Sequence, residues 1–212
     1  MTMDQGARER LLRKVVSFAE QSGITDKSLR EIAAGASTSH RMLIYHFGSR
    51  AGLLAAVANQ VATLVVRETE ARQRSTLAGL AASKGTARDV MVGLWEQLTA
   101  AETMPFVRLF FEVFALASRG TPGTEGLLAN LTDPWLDEGA AAAARLGYDF
   151  DAATVRLGVA VSRGLLLDLV AGADRQEVDA AYRLFVDLLE RATAGPPAGT
   201  ASPDAASPDI GG

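Results

Sequence analysis

The chain has 212 residues, of which 48% are hydrophobic and 6% aromatic, and a formal net charge of −4. This size is sufficient for one or two domains with a sizeable core, and the absence of cysteine excludes disulfides, thiolate catalysis and cysteine-ligated metals. The sequence begins with a polar stretch and no apolar run approaches about 18 residues, so we expect no signal peptide, no membrane span and a cytoplasmic location.

The charge is distributed unevenly along the chain. Residues 1–60 contain eight Lys and Arg against five Asp and Glu, whereas the remaining residues contain thirteen against twenty. A basic segment is most often only a solvated face. The positive net charge of residues 1–60 is nevertheless the sign of charge that contacts with phosphate groups require. Any nucleic-acid contact is therefore expected in the N-terminal part.

Three short helices are predicted in that part. The first covers residues 7–22, where apolar side chains recur at helical spacing, basic ones lie on the other side, and Gly23 is a stop signal. The second begins at Ser28, which forms an S-x-x-E capping box with Glu31. Residues 35–38 are small and too weakly apolar to continue the helix, and they form a turn of the length found in helix-turn-helix motifs.

The third helix follows Ser39, which is a good N-cap. At about 100° per residue, a helix with Leu43 facing inward also turns Phe47 inward and places Arg41 and Tyr45 outward. One face then attaches to the domain while the other is free to enter the major groove of DNA. Spacing alone leaves a second interpretation open, an ordinary helical hairpin.

Further helices are predicted after residue 49, and no convincing strand is found. Ser49, the pair Thr86 and Asp89, and Pro105 mark three starts, and Pro134 interrupts a later helix. The predicted helices cover about residues 50–72, 86–101, 105–118 and 125–146, with a loop or frayed segment at 75–85. The predicted fold class is therefore all-α.

The last two predicted helices are residues 151–171 and a helix capped by Asp174 and Glu177, and both are apolar over more than one face. A chain of this size leaves too little to cover both, so we expect them to pair with their copies in a four-helix dimer interface. Ordinary core contacts are the alternative. Residues 195–212 are rich in Pro, Gly, Ala and Ser, and they are predicted to be disordered.

No enzyme is predicted. The two histidines, His40 and His46, lie about 120° apart around one helix, so they cannot chelate one metal ion. No Gly-rich phosphate loop follows a strand, and acidic pairs such as Asp137 and Glu138 are explained by helix ends. An acid–base catalyst that uses carboxylates alone is the remaining alternative, and we expect neither a metal nor a cofactor.

Residues 32–54, IAAGASTSHRMLIYHFGSRAGLL, are similar to the N-terminal signature of the TetR family of transcriptional regulators, I-A-x-x-x-G-V-S-x-x-x-L-Y-x-H-F-x-S-K-x-x-L. Three positions depart from that pattern, and at a fourth Arg50 stands where the pattern has a lysine. Ser37 replaces the usual turn glycine and is expected to carry a positive φ, Thr38 replaces a valine, and Ile44 replaces a tyrosine. The matching positions are Ile32, Ala33, Ser39, Leu43, His46, Phe47, Ser49 and Leu53.

The resemblance implies a helix-turn-helix DNA-binding domain at 1–48, a helical ligand-binding and dimerisation domain at 49–194, and a tail at 195–212. Base edges are expected to be read at the start of the third helix and phosphates bound from its end and from Arg50, while Arg30 reaches a base or phosphate from the second helix. The implied DNA-binding residues are Ser28, Arg30, Ser39, His40, Arg41, Met42, Tyr45, His46 and Arg50.

The resemblance also implies a small-molecule pocket in the C-terminal domain. Arg163 and Asp168 are charges within the most apolar predicted helix, where each needs a partner: a ligand, solvent or the other subunit. The other candidates, each equally explained as ordinary core, are Met91, Trp95, Phe106, Phe110, Phe114 and Trp135. We expect a homodimeric repressor that a small molecule releases from a palindromic operator. The alternative is a helical small-molecule-binding or scaffold protein whose helix-turn-helix does not function.

Overall fold

Within the residues that a computed structural model describes, the chain is helical and has no strand, which confirms the predicted fold class. The described residues are 3–64, 67, 86–122, 124, 128, 133, 136–137, 139–141, 143–144, 148 and 150–193. The main helices are α1 (Met3–Ser22), α2 (Leu29–Gly35), α3 (His40–Phe47), α4 (residues 50–64), α5 (Ala87–Leu98), α6 (Met104–Ser118), α7 (Ala152–Val170) and α8 (Arg175–Thr193). Among the described helices, none combines the length and apolarity needed to cross a membrane.

Helices α2 and α3 begin directly after their predicted N-caps, and α1 ends before Gly23 as predicted. The predicted start of α1 at residue 7 is wrong, because the helix already begins at Met3. The Ser28 Oγ accepts a hydrogen bond from the Glu31 N–H at 3.3 Å, and the Ser28 N–H donates to Glu31 Oε2 at 2.7 Å. Hydrogen bonds to the Glu31 carboxyl from the side chain and the backbone N–H of Ser28 hold the pKa of that carboxyl below its usual value. At α3, the Met42 N–H donates to Ser39 Oγ at 3.2 Å, and Gly48 ends the helix with a φ of 74°. The capping-box and N-cap predictions are therefore confirmed.

The turn between α2 and α3 carries local backbone strain. Ser37 has a φ of 52°, and it is the one non-glycine residue with a positive φ in the described part of the chain. The turn is closed by the Thr38 N–H, which donates to the Ala33 carbonyl at 2.9 Å. The predicted positive φ at Ser37 is thus confirmed.

A single hydrophobic core joins the N-terminal helices to α4 and α6. The fully buried side chains Val15, Ile32 and Leu43 from α1, α2 and α3 belong to the same cluster as Val57 and Val113 from α4 and α6. The predicted boundary at residue 48 stays a prediction, but the core is continuous across it. We call α1–α3 the head and the helices after residue 49 the body.

A second core lies within the body. Trp95 of α5, Val107 of α6, Leu166 of α7 and Tyr182 of α8 are buried together. Phe111 packs against both cores. Helix α6 therefore lies between them and contacts the head on one side and the remaining body helices on the other.

The body helices largely follow their sequence signals. Thr86 and Asp89 form the predicted capping box, Pro105 lies in the first turn of α6, and Asp174 Oδ1 accepts from the Gln176 and Glu177 N–H groups. The predicted end of the α5 helix at residue 101 is wrong, because the helix stops at Leu98. The side chain of Arg175 donates to the Thr99 carbonyl at 2.6 Å. It occupies the acceptor that a backbone N–H would use if the helix continued.

Some predictions fall outside the described residues. These are the end of the helix predicted at 50–72, the loop at 75–85, the proline break at position 134, Trp135 and the tail at 195–212.

Replacing Ser37 with glycine is expected to stabilise the protein. A left-handed backbone costs a non-glycine residue about 1–2 kcal/mol, and the greater freedom of glycine in the unfolded chain offsets about 0.5–1 kcal/mol of this gain. Ser37→Gly should therefore raise the free energy of unfolding by about 0.5–1 kcal/mol, measured by urea denaturation. The matched control, Thr38→Gly, should lower it, and a loss in both variants would contradict the assignment of strain to Ser37.

Candidate nucleic-acid interface

Helix α3 buries one face and exposes the other. Leu43 is 1% exposed and Phe47 is buried, whereas Tyr45 is 69% exposed and Arg41 is also exposed. The arrangement predicted from the helical wheel is confirmed. Because the buried pair belongs to the core shared by α1 and α2, the orientation of the exposed face is determined by packing and not by the short helix itself.

Most of the predicted DNA-binding side chains lie at the surface of the head. His46 and Arg50 are half-buried, and the remaining members of the set are exposed. The exposed members are Ser28, Arg30, Ser39, His40, Arg41, Met42 and Tyr45. The structure therefore places the side chains of α3 and the start of α2 on accessible surface, as a contact with DNA requires.

The end of α3 is held by α1. The guanidinium of Arg8 lies over the Phe47 ring, with 5.1 Å between Cζ and the ring centroid. Its Nε donates to the His46 carbonyl at 3.4 Å. The ring of His46 makes an edge contact with Tyr45 at a centroid distance of 4.8 Å. Arg8 was absent from the predicted site, and its only signal in the sequence was a basic face on α1.

Arg50 has a structural task that sequence reasoning missed. Its Nε donates to the Lys27 carbonyl at 3.0 Å and its Nη2 donates to the Thr25 carbonyl at 2.6 Å. A guanidinium has five N–H donors, so these bonds use part of its capacity. Arg50 thus ties the start of α4 to the turn between α1 and α2, and its predicted phosphate contact would have to use the remaining donors.

The aromatic candidates for a ligand pocket divide between the two cores. Phe106, Phe110 and Phe114 pack in the core shared with the head, whereas Met91 and Trp95 pack in the second core. The structure therefore does not gather the predicted pocket residues into one cluster.

Arg163 and Asp168 face different surroundings. Arg163 is half-buried, its Cζ lies 5.8 Å from the centroid of the Phe110 ring, and burial lowers the pKa of its guanidinium. Asp168 is exposed. The structure thus brings Arg163 to the aromatic side chains of α6 and leaves Asp168 at the surface of α7.

A polar network between α5 and α8 was also missed. Trp95 Nε1 donates to Asp179 Oδ1 at 2.7 Å, Arg175 Nε donates to Asp179 Oδ2 at 3.0 Å, and Arg175 Nη2 donates to Thr99 Oγ1 at 2.7 Å. The Trp95 ring stacks on Tyr182 at 4.4 Å, and burial raises the pKa of Tyr182 to about 12. The i, i+4 spacing of Arg175 and Asp179 was the available signal.

No protein-family model matches the sequence, and no curated protein matches it. Solved structures do match. A protein from Rhodococcus sp. assigned to the TetR family of transcriptional regulators is 23% identical, with a TM-score of 0.61 over 85% of this chain and 96% of that one. A transcriptional regulator from Rhodococcus sp. Rha1 is 18% identical, with a TM-score of 0.69 over 90% and 99%. The multidrug binding protein EbrR, complexed with ethidium, is 23% identical, with a TM-score of 0.58 over 85% and 97%.

These alignments cover most of the chain and nearly all of each matched chain, so they include both the head and the body. At such identities the likeness concerns the fold, and function has to be argued from the site itself. The resemblance found in residues 32–54 is thereby confirmed: the protein has the fold of the TetR family of transcriptional regulators.

Proposed function

We propose that the protein is a ligand-responsive transcriptional regulator of the TetR type that binds a palindromic operator as a homodimer. We further propose that it is a cytoplasmic repressor, released from DNA by a small molecule. The observation that carries the proposal is the exposed face of α3, with Arg41 and Tyr45 directed to solvent and Leu43 and Phe47 buried behind them.

Helix α3 is suited to enter a major groove. A recognition helix contacts base edges with its N-terminal residues, and here His40, Arg41 and Met42 occupy the first turn and are exposed. An arginine in this place is suited to a bidentate contact with guanine. Tyr45, His46, Arg30 and the remaining donors of Arg50 are proposed to contact phosphates, which set the position of the head but carry no base preference.

The proposed dimer interface lies on α7 and α8. Leu157 is 56% exposed and Leu184 58% exposed, and Leu167 and Leu188 are about half exposed as well. Leu184 and Leu188 are one turn apart, so they form a stripe on one face of α8. Exposed leucines at this density are typical of a surface that a second subunit covers. Gly164 of α7 has open space around it, which allows close approach by that subunit.

Two heads in one dimer give the proposed operator its symmetry. Recognition helices that enter successive major grooves on one side of DNA must lie about 34–36 Å apart. A small molecule that changes this separation by a few ångströms would weaken binding, and DNA would weaken binding of the small molecule by the same factor.

The effector is proposed to bind beside α6 and α7, where Arg163 lies over Phe110. Two of the matched structures support an effector role for the body, since EbrR is complexed with ethidium and a transcriptional regulator from Saccharomonospora viridis is in complex with choline. Mass spectrometry of the protein purified under native conditions would identify a retained small molecule. Detection of a molecule whose binding is abolished by Arg163→Ala, with the circular dichroism spectrum unchanged, would locate the site.

A gel-shift with the DNA upstream of the protein's own gene tests the proposed function. A shift that resists competition by random DNA is expected. Failure to shift any duplex at low salt would overturn the proposal and favour a small-molecule-binding or scaffold protein with a non-functional helix-turn-helix.

Removing Arg41 is expected to weaken and relax DNA recognition. Arg41→Ala should cost about 1–3 kcal/mol of operator binding and reduce the preference at one base pair, measured by fluorescence anisotropy on operator variants. Arg108→Ala is the matched control, because it removes the same charge from an exposed position on α6. Equal loss on operator and random DNA for Arg41→Ala would show a phosphate contact instead.

Ile44 is expected to contact the methyl group of a thymine. It is an exposed apolar residue on α3, and the thymine methyl is the apolar group that a base pair presents in the major groove. Replacing that thymine by deoxyuridine should lower wild-type affinity about fourfold, which corresponds to about 0.8 kcal/mol for one buried methyl group. Ile44→Ala should be insensitive to this replacement, while Met42→Ala should keep the wild-type response. If wild-type affinity were unchanged by replacement of every thymine in turn, the contact from Ile44 would be contradicted.

Leu184→Asp is expected to dissociate the dimer. A carboxylate in an apolar interface is strongly disfavoured, so the dissociation constant of the dimer should rise at least about tenfold with the helical content unchanged. Sedimentation velocity and circular dichroism are the measurements. Leu128→Asp, at another exposed leucine outside α7 and α8, is the control. A variant that stays dimeric would place the interface elsewhere.

A further inference from the structure

The turn between α1 and α2, residues 23–28, is held by side chains from two body helices. From α4, Arg50 donates to the carbonyls of Thr25 and Lys27. From α6, Glu112 Oε2 accepts a hydrogen bond from the backbone N–H of Ile24 at 3.0 Å, across 88 positions of sequence. Ile24 itself is fully buried. The same short segment is therefore bonded to the body through both its donors and its acceptors.

The contact with Glu112 depends on a glycine. Gly23 has a φ of 69°, and a Cβ at this position would lie 2.6 Å from Glu112 Oε1. Glycine therefore serves two purposes here, because it adopts the left-handed backbone that ends α1 and it leaves room for the carboxylate. A side chain at position 23 would therefore force the Glu112 carboxylate to move from the place in which it accepts from Ile24.

The bonded turn leads directly into the DNA-reading helices. Its last residue is Ser28, the N-cap of α2, and α2 packs against α3 in the same core. The hydrophobic effect between head and body is non-directional, whereas a hydrogen bond to a charged acceptor is directional and stronger than a neutral one. The Glu112 contact is thus suited to define where the head lies relative to α6.

We propose that Glu112 is a positioning residue through which the body sets the placement of the recognition helix. This inference rests on the proposed DNA-binding function. Glu112 touches no DNA in this scheme; it acts through Ile24, the turn at residues 23–28 and α2. In a dimer, its loss would leave each head able to bind a half-site but would relax the separation between the two heads.

The contact itself is tested by a double-mutant cycle with a matched control glycine. Gly120 also has a positive φ, 66°, but a Cβ there meets no atom within 4 Å. Gly23→Ala should therefore lower the unfolding midpoint more than Gly120→Ala does. In a Glu112→Ala background the two glycine substitutions should have the same effect. If the two glycine substitutions lowered the unfolding midpoint equally in the wild-type background, the contact between position 23 and Glu112 would be contradicted.

Amide hydrogen exchange measures the bond directly. Exchange of the Ile24 N–H should accelerate about tenfold or more in Glu112→Ala, and remain near the wild-type rate in Glu112→Gln, whose amide oxygen can still accept. Unchanged exchange in Glu112→Ala would mean that the carboxylate does not protect this amide.

Positioning is tested with two DNA duplexes selected by the wild-type protein from a random library, one with both half-sites and one with a single half-site. Glu112→Ala should lose about tenfold in affinity for the double site and keep its affinity for the single site. Glu112→Gln should retain most of the wild-type affinity for both. Equal loss on both duplexes, or no loss on either, would overturn the positioning role. If the wild-type protein selects no DNA at all, it is the proposed function that fails, and this is seen before any variant is measured.

Discussion

Burial of Leu43 and Phe47 is the interaction on which the rest depends. A helix of eight residues has little stability in isolation, so α3 exists and keeps its orientation because these two side chains enter the core that α1, α2, α4 and α6 share. The same packing directs Arg41 and Tyr45 outward. Exposure of that face is therefore a consequence of core formation, and a change in the core is expected to alter the orientation of the exposed side chains.

Helix α6 connects this head to the body in two physical ways. Its apolar side chains belong to the head core, while Phe111 also packs on the second core, and Glu112 adds a directional bond to the turn before α2. On the far side of the body, α5 is bound to α8 through the ion pair of Arg88 with Asp187 and through the Trp95–Asp179 bond. The head and the α5–α8 pair are therefore connected through α6, by packing at both cores and by polar bonds at the contact with the head and between α5 and α8.

Much of the fold was predictable because its signals are local. Capping by Ser28, Ser39, Thr86 and Asp174 involves residues within three positions of each other, so the sequence alone contains both partners. The two faces of α3 follow from short-range periodicity, whereas the positive φ at Ser37 was expected from the resemblance, whose signature has a turn glycine at that position. The fold family was reached through residues 32–54, where many such local requirements coincide in one register.

Local signals in the sequence thus predicted most of the helices, their caps and which face of α3 is polar, but not the start of α1 or the end of α5. Tertiary structure alone decided how distant residues meet: Glu112 with Ile24, Trp95 with Asp179, and Arg50 with the carbonyls of Thr25 and Lys27. It also shortened α5, since Arg175 from the last helix takes the Thr99 carbonyl, and it divided the aromatic pocket candidates between two cores. Periodicity and capping specify where each helix begins and which side is buried, but not which helix it packs against, and these contacts arise only from that packing.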